Sequence, residues 1–247
     1  MPHTPENTTD SIANKICQIK ALLTEISTNS NRNAGDIKLL AISKGHDAEK
    51  ILAAWHAGIG CFGENYLQEA LDKMQNLPNI SPEWHFTGPV QANKTRAIAE
   101  HFNWVHTVDR LRIATRLSKH RQGKTEPLNI CIQVNIDREP TKSGVDPDEL
   151  LELANAIIEL PNLRLRGLMV IPEPRTDFAS QREPFRRTAQ LLGELKNSSS
   201  RLQSLDTLSM GMSNDMSAAI TEGATIVRIG TGIFGPRQPP VASPADS

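Results

Sequence analysis

Two segments near opposite ends of the chain carry residue types that together suit a phosphorylated aldehyde. Lys44 follows the apolar run over residues 39–43, and a second apolar run ends at Gly230 and Thr231. A neutral lysine amine condenses with an aldehyde to a Schiff base, while a turn of glycines and a hydroxyl offers N–H groups to a phosphate. The pattern predicts this combined chemistry if the fold sets the two segments side by side.

Eight short apolar or β-branched runs alternate with stretches of helical periodicity, which is typical of strands joined by helices. The predicted strands cover residues 38–43, 60–63, 84–87, 104–108, 128–135, 165–170, 204–208 and 225–229. Eight such units fill a chain of 247 residues and leave no linker long enough to separate two domains. We therefore predict an α/β architecture, a single (β/α)8 TIM barrel, in preference to an open doubly wound sheet.

An extra N-terminal helix is predicted over residues 10–27, where isoleucines and leucines recur at helical spacing, and it is expected to pack outside the barrel. The barrel domain is assigned to residues 10–235. A disordered N-terminus over 1–9 and a flexible, proline-containing tail over 236–247 are expected to flank it. The first and last strands of a closed barrel are neighbours, so Lys44 and Gly230 are expected at one mouth.

Other side chains expected at this mouth complete a site for pyridoxal 5'-phosphate, which needs both an amine and a phosphate cradle. Arg228 lies two residues before Gly230 and points inward with it, because neighbours along a strand alternate in direction. A guanidinium only donates hydrogen bonds, so beside a pyridine nitrogen Arg228 keeps that nitrogen unprotonated. Ser213 is expected to cap a helix that begins at Asn214 and to offer further donors to the phosphate.

Each of these residues also has an ordinary structural explanation. Lys44 alone is consistent with a solvated lysine, whose pKa of about 10.4 must fall to about 7 before the amine reacts. Ser213 alone suits simple helix capping, and Arg228 alone suits a salt bridge to a barrel carboxylate. His85 is interpreted as a hydrogen-bonded core histidine and not as a base. The combination at one mouth is what favours the cofactor site.

The spacing of Gly230, Gly232 and Gly235 matches G-x-G-x-x-G, the dinucleotide-binding fingerprint. That fingerprint requires a following helix and an acidic residue about 20 positions further on. Prolines at positions 236, 239 and 240 break the chain here, and the sequence stops before that distance. We therefore expect no dinucleotide site.

Composition excludes several classes of partner. With 27 basic and 28 acidic residues, the chain lacks the positive field of a protein that binds nucleic acid or a membrane surface. Its three cysteines are far apart and fit neither a disulfide framework nor a zinc site, and its seven histidines show no metal-ligand spacing. The N-terminus contains no apolar signal core, which favours a cytoplasmic location.

Seven motifs, in chain order, resemble those of the pyridoxal phosphate homeostasis protein family. They are AISK, which ends at Lys44, then FGENY, WHFTGPVQANK, KSG, RGLM, LSMGMSND and VRIGTGIFG. The resemblance implies an alanine-racemase-like barrel with the cofactor's aldehyde on Lys44. The cofactor-binding residues that we predict are Lys44, Asn65, Met210, Ser213, Arg228, Gly230 and Thr231. The basic residue and proline that usually follow the lysine in this family are replaced by Gly-His-Asp at 45–47, so a less rigid loop is expected.

Fold and resemblance together predict a carrier and not an enzyme. A two-base racemase needs a second base, often a tyrosine from a further domain, whereas Tyr66 is the one tyrosine of this chain and few residues follow the barrel. The predicted role is cofactor homeostasis, in which a monomer holds pyridoxal 5'-phosphate reversibly on Lys44 and delivers it to apo-enzymes. Two alternatives stay open: a pyridoxal-phosphate-dependent amino-acid racemase, and a Schiff-base aldolase that acts on a phosphorylated sugar without cofactor.

Overall fold

A computed structural model of the chain describes residues 8–236. The predicted disordered N-terminus, 1–9, and the predicted flexible tail, 236–247, lie outside the described residues except for positions 8, 9 and 236. Positions 8 and 9 already belong to the first helix.

Eight strands and nine helices make up the described part of the chain. The strands are β1 Lys38–Ile42, β2 Cys61–Glu64, β3 Glu83–Phe86, β4 Trp104–Val108, β5 Leu128–Gln133, β6 Leu163–Met169, β7 Thr207–Ser209 and β8 Ile226–Ile229. The helices are α1 Thr8–Asn29, α2 Ala48–His56, α3 Leu67–Gln75, α4 Thr95–His101, α5 Leu111–His120, α6 Leu150–Ile158, α7 Phe178–Ser198, α8 Met216–Thr221 and α9 Thr231–Phe234.

The strands are parallel and close into a barrel in chain order, so β1 pairs with both β2 and β8. At the contact between the first and last strands, Lys38 is opposite Ile226 and Ala41 is opposite Ile229. We call this contact the β1–β8 seam. The predicted single TIM barrel is confirmed, and with it the proximity of the two strand ends that carry Lys44 and Gly230.

Helix α1 packs against α2, α8 and α9, outside the barrel as predicted for the extra N-terminal helix. Just after it, Arg32 donates from NH1 to the carbonyl oxygens of Ile220 at 3.1 Å and Ala224 at 2.5 Å. The hydroxyls of Ser30 and Thr221 lie 3.1 Å apart. These bonds tie the start of the chain to the segment that leads into β8.

The seventh strand departs most from its prediction. Residues 204–208 were expected, but β7 covers Thr207–Ser209. The amide of Leu205 donates to the carbonyl of Leu202 at 3.2 Å, so the chain is still turning where a strand was predicted.

Apolar side chains form two cores. The outer core packs helices against the barrel and includes Ile16 of α1, Phe185 of α7 and Val227 of β8. The inner cluster consists of Leu40, Cys61, Trp104, Cys131, Met169 and Ile226. Branched aliphatic residues usually dominate a barrel interior, but here it also holds buried polar side chains, namely His85, His106, Ser209 and Arg228.

Candidate functional site

A cavity of about 540 Å³ opens at the carboxyl ends of the strands, on both sides of the β1–β8 seam. Six of the seven predicted cofactor-binding residues line it: Lys44, Asn65, Ser213, Arg228, Gly230 and Thr231. The active face of a parallel barrel lies at this end of the strands. The structure therefore brings together residues that are up to 187 positions apart in sequence.

The two walls of the seam approach closely because Gly230 has no side chain. A Cβ built on Gly230 would lie 3.3 Å from the carbonyl oxygen of Ile42 and 3.4 Å from its Cβ. Ile42 is the last residue of β1, and half-buried Lys44 follows it by two positions. The amine-bearing strand end and the glycine turn are thus direct neighbours.

The turns after β7 and β8 meet at the same side of the cavity. A Cβ built on Gly232 would lie 3.6 Å from the hydroxyl oxygen of Ser213. Thr231 and Gly232 open the one-turn helix α9, and the first N–H groups of a helix have no partner within it. This short helix was not expected. It ends at Gly235, where φ is +81°, and so remains far shorter than a dinucleotide-binding helix.

The structure corrects the predicted role of Ser213 as a helix cap. Helix α8 begins at Met216, preceded by Asp215, and the Asp215 carboxylate accepts a bond from the Met212 amide at 2.6 Å. That bond closes a turn over residues 212–215, which leaves Ser213 exposed in the turn beside Gly232. Burial raises the pKa of Asp215, while the Met212 amide and the charge of Arg228 oppose the rise.

The structure also corrects the placement of Met210. Its side chain is fully buried in the outer core, whereas Met212 lines the cavity. Ser209 points into the barrel, so the next residue along the strand direction points out toward the helices.

Arg228 is buried inside the barrel and is held by three hydrogen bonds. It donates from NH1 to the Ser209 carbonyl at 2.6 Å and hydroxyl at 2.9 Å, and from NH2 to the Val170 carbonyl at 2.8 Å. Burial lowers its pKa to about 10, against the opposing charge of Asp215, so the guanidinium remains charged at neutral pH. At least two of its five N–H groups stay available to the cavity that it lines.

Asn65 is oriented by its neighbour Thr87, which also lines the cavity. The Thr87 hydroxyl donates to Asn65 Oδ1 at 3.0 Å, so the amide NH2 group is the end left to donate into the cavity. Thr87 was missed by sequence reasoning, although its position directly after β3 marks it as a residue of the barrel mouth.

A buried ion cluster holds the residues on both sides of Lys44. Lys73 donates to the Glu64 carboxylate and to the Ser43 carbonyl, each at 2.7 Å, and the Ser43 hydroxyl donates to Glu64 at 2.6 Å. Glu69 accepts from the Gly45 amide at 2.5 Å and also pairs with Lys73. Burial raises the pKa of Glu64, and the charge and hydrogen bond of Lys73 only partly offset this.

The loop after Lys44 is fixed despite the absence of the family's proline. Asp47 accepts from the Lys50 amide at 2.9 Å and so caps α2, and the buried ring of His46 lies 5.1 Å from that of Phe234. Together with the ion cluster, these contacts replace the stiffness that a proline would give. The expectation of a less rigid loop finds no support in this geometry.

Comparisons with known proteins agree with this site. The sequence pattern of the family described as "Alanine racemase, N-terminal domain" matches residues 20–238. The Pseudomonas aeruginosa protein named "Pyridoxal phosphate homeostasis protein" is 52% identical over 226 residues, which cover 92% of this chain and 96% of the relative. The Escherichia coli K12 protein of the same name is 49% identical over 229 residues, covering 92% and 97%. This chain belongs to the pyridoxal phosphate homeostasis protein family.

Solved structures place the same family on this fold. PipY of Synechococcus elongatus with PLP bound is 34% identical, with a TM-score of 0.81, and the match covers 91% of this chain and 100% of PipY. Alanine racemase of Corynebacterium glutamicum shares the barrel at 16% identity and a TM-score of 0.64, with 60% of its chain covered. PipY and the covered part of the racemase therefore share the barrel fold of this chain.

Two absences hold for residues 8–236. No group of three or more histidine, cysteine or carboxylate side chains there is arranged to hold a metal ion. No helix in that stretch combines the length and apolar character needed to span a bilayer. All three cysteines are free thiols in this member of the homeostasis protein family.

Gly88, at the start of the GPVQANK part of the third motif, packs on the backbone that carries Asn65. A Cβ built on Gly88 would lie 2.1 Å from the Asn65 carbonyl oxygen. We expect Gly88→Ala to displace Asn65 and to lower the free energy of unfolding in urea by about 1–3 kcal/mol. Gly60→Ala is the control, because its added Cβ meets nothing within 4 Å. Equal losses in the two variants would contradict the assigned clash.

Proposed function

We propose that this chain binds pyridoxal 5'-phosphate in the cavity at the β1–β8 seam and holds it there as a reversible carrier. The observation that carries the proposal is the convergence of Lys44, Arg228 and the Ser213–Gly232 contact on a single cavity. Membership of the homeostasis protein family and the PLP-bound structure of PipY support it. Covalent attachment to Lys44 and delivery to apo-enzymes are part of the proposal.

The residues present fit this cofactor. A phosphate needs N–H and O–H donors and close backbone approach, and the glycines at 230 and 232 leave the space that a Cβ would fill beside Ile42 and Ser213. Lys44 provides the amine, whose condensation with the cofactor's aldehyde forms a carbon–nitrogen double bond and releases water. The Asn65 amide NH2 group, left to donate by the bond from Thr87, would donate to the ring hydroxyl.

Arg228 disfavours enzymatic turnover. When bound, the cofactor supplies an electron-withdrawing ring whose strength depends on protonation of its nitrogen. A guanidinium donates to that nitrogen and does not protonate it. Arg228 is fixed by three bonds and stays charged at neutral pH, so this chain provides a donor where strong electron withdrawal needs an acid. Holding the cofactor suits this arrangement better than transforming an amino acid.

Tyr66 does not offer the opposing base that a two-base racemase needs. Its side chain is 59% exposed and is not among the residues that line the cavity. We expect no exchange of the α-hydrogen of amino acids with deuterated solvent above the rate of free pyridoxal 5'-phosphate, measured by proton NMR. Stereospecific exchange that requires Lys44 would instead establish the racemase alternative.

Covalent trapping tests the binding proposal. Treatment of the cofactor-loaded chain with borohydride, followed by peptide mass mapping, is expected to place a phosphopyridoxyl group on the peptide that contains Lys44. A modification spread over several exposed lysines would contradict a specific site. A colourless chain that takes up no cofactor would leave the aldolase alternative, which Schiff-base trapping with phosphorylated sugars tests.

Ser213 is proposed as a direct phosphate ligand, which gives a graded prediction. We expect Ser213→Ala to weaken cofactor binding about tenfold to 150-fold, the effect of one lost hydrogen bond to a charged group, as measured by titration of the visible band. Ser217→Ala is the matched control, since Ser217 is exposed on α8 and lies outside the cavity lining. Unchanged affinity in Ser213→Ala would remove Ser213 from the phosphate site.

Delivery is tested by cofactor transfer to an apo-enzyme. We expect the loaded chain to activate the apo-enzyme faster than the rate at which cofactor dissociates into buffer, because transfer proceeds within a complex of the two proteins. We further propose a cytoplasmic monomer, and free thiols at all three cysteines suit a reducing compartment. Light scattering of the loaded chain tests the monomer.

A further inference from the structure

A row of polar side chains runs through the barrel interior from the cavity to the opposite end. Arg228 donates to the Ser209 hydroxyl at 2.9 Å, and that hydroxyl lies 2.8 Å from His106 Nδ1. His106 Nε2 lies 2.8 Å from His85 Nδ1, and His85 Nε2 lies 3.0 Å from Glu83 Oε1. Glu83 belongs to the start of β3, is about one-third exposed, and pairs with Lys38 at 3.0 Å.

The groups at the two ends of this row fix the direction of each bond within it. A guanidinium only donates and a carboxylate only accepts. Glu83 therefore takes the proton of His85 Nε2, which leaves His85 Nδ1 to accept from His106 Nε2. His106 Nδ1 in turn accepts from the Ser209 hydroxyl, whose oxygen accepts from Arg228. Each ring then carries one proton on Nε2, and the first three contacts of the row are hydrogen bonds. The last contact, from His85 Nε2 to Glu83 Oε1 at 3.0 Å, is an ion-pair contact that falls short of ideal hydrogen-bond geometry.

We propose that a row of polar side chains positions Arg228 and couples it to the charge at the far end of the barrel. This interior row consists of Ser209, His106, His85 and Glu83, and all of its proton donors point in the same direction. These four side chains are positioning residues, because the group that faces the cavity is Arg228. The consequence for the cofactor rests on the proposed function, but the donor-to-acceptor direction of the interior row does not.

The surroundings keep the two histidines neutral, and the proposed bond directions require this because each ring must carry one proton. Complete burial lowers the pKa of His85, with Glu83 opposing and Lys38 assisting. Burial also lowers the pKa of His106 well below its usual value; a charge on His85 would lower it further, and the charges of Arg228 and Lys38 add to this. The ring of Trp104 stacks on His85 at 5.3 Å and excludes water from that side. Protonation of His85 would set its Nδ1–H against the Nε2–H of His106, and protonation of His106 would set its Nδ1–H against the hydroxyl proton of Ser209.

Glu83, at the end of the interior row opposite Arg228, is a stable anion. Burial alone would raise the pKa of Glu83, but the hydrogen bond from His85 and the ammonium of Lys38 outweigh it and lower this pKa to about 2. A negative charge at the end polarises every bond toward Glu83, so the Ser209 oxygen becomes a stronger acceptor for Arg228. The guanidinium is thereby fixed and its charge is partly compensated.

NMR of the chain without cofactor tests the direction of the bonds. We expect nitrogen-15 shifts to report the Nε2–H tautomer for both His85 and His106, unchanged from about pH 6 to about pH 9. Glu83→Gln keeps an acceptor but removes the charge, so the ring N–H protons of both histidines should move upfield. A proton on Nδ1 of His106, or a His106 signal that does not respond to Glu83→Gln, would overturn the proposal.

The coupling to Arg228 is tested on the loaded chain. Ser209→Ala removes the hydroxyl but keeps the backbone carbonyl that also binds Arg228. We expect about fivefold weaker cofactor binding and a lower pH midpoint of the visible band, because a less compensated guanidinium disfavours positive charge on the bound cofactor. Glu83→Gln should shift the midpoint in the same direction.

Two control variants separate this coupling from a general structural effect. Ser27→Ala removes another fully buried serine hydroxyl, one that bonds within α1 at 2.7 Å. Asp206→Asn removes a carboxylate charge that pairs with Arg166 at 2.6 Å but is not part of the interior row. A midpoint in Ser209→Ala equal to that of Ser27→Ala refutes the coupling. Loss of the proposed function itself would appear as no visible band in the unmodified chain, with the NMR result intact.

Discussion

Lys44→Ala is expected to abolish the visible absorption band of the bound cofactor and the borohydride-trapped adduct, while the chain stays folded. Lys44 is half-buried in the cavity at the β1–β8 seam and follows the end of β1, the strand that pairs with β8. Without an amine there, the phosphate and ring contacts remain but no carbon–nitrogen bond forms. Absorption spectroscopy and circular dichroism of the purified variant measure the two parts of this expectation.

Lys94→Ala is the matched control for that variant. Lys94 is exposed, lies in the loop that follows β3 at the same end of the barrel, and does not line the cavity. It should retain the full band and the full adduct on the peptide that contains Lys44. A band that survives in Lys44→Ala but disappears in Lys94→Ala would place the covalent site outside the seam.

Lys73→Met is expected to lower the free energy of unfolding by about 3–5 kcal/mol at neutral pH, because it leaves Glu64 buried without its counter-charge. Burial already raises the pKa of Glu64 in the folded state, and loss of Lys73 raises it further. A carboxyl with a raised folded-state pKa stabilises fully only below its unfolded pKa and loses that contribution as pH rises through the folded value. The loss should therefore be larger at about pH 8 than at about pH 5.

Urea unfolding at both pH values measures this difference. The double variant Lys73→Met with Glu64→Gln should recover part of the loss, since the uncompensated charge is gone. Lys142→Met is the control, because its partly exposed pair with Glu139 is expected to contribute less than about 1 kcal/mol. A pH-independent loss in Lys73→Met would show that packing, and not the charge of Glu64, sets the effect.

Alternation along strands made much of the site predictable from sequence. Arg228 and Gly230 point to the same side because they are two residues apart, and the closed barrel then fixes Lys44 beside them. These inferences need only the period of a strand and the count of strands. The comparisons with known proteins and the barrel geometry agree with both.

Local chemistry alone did not settle the turn after β7. Ser213 and Asp215 are both good capping residues, but the Asp215 side chain does not cap α8 and instead accepts a bond from the Met212 amide. Met210 directly follows β7, and the sequence did not show that Ser209 faces the barrel interior while the Met210 side chain packs in the outer core.

The interior row could not be predicted from the sequence, for a different reason. Glu83, His106 and Ser209 lie on three strands, and His106 and Ser209 are 103 positions apart. Only the register of the strands sets them at successive levels of the barrel. An available signal was that His106 alternates in step with Trp104, which marks it as pointing into the barrel.

The cavity is formed by both the first strand and the last strand of the barrel, and this has a consequence during protein synthesis. A nascent polypeptide has its lysine early, but the opposite wall emerges only when the last barrel strand has left the ribosome and the ring has shut. Under the proposed function, unfinished molecules cannot capture the reactive aldehyde in this cavity. Uptake of the vitamin-derived ligand then marks a completed barrel. Bound ligand should slow the exchange of backbone amide hydrogens first along the contact between the first and last strands.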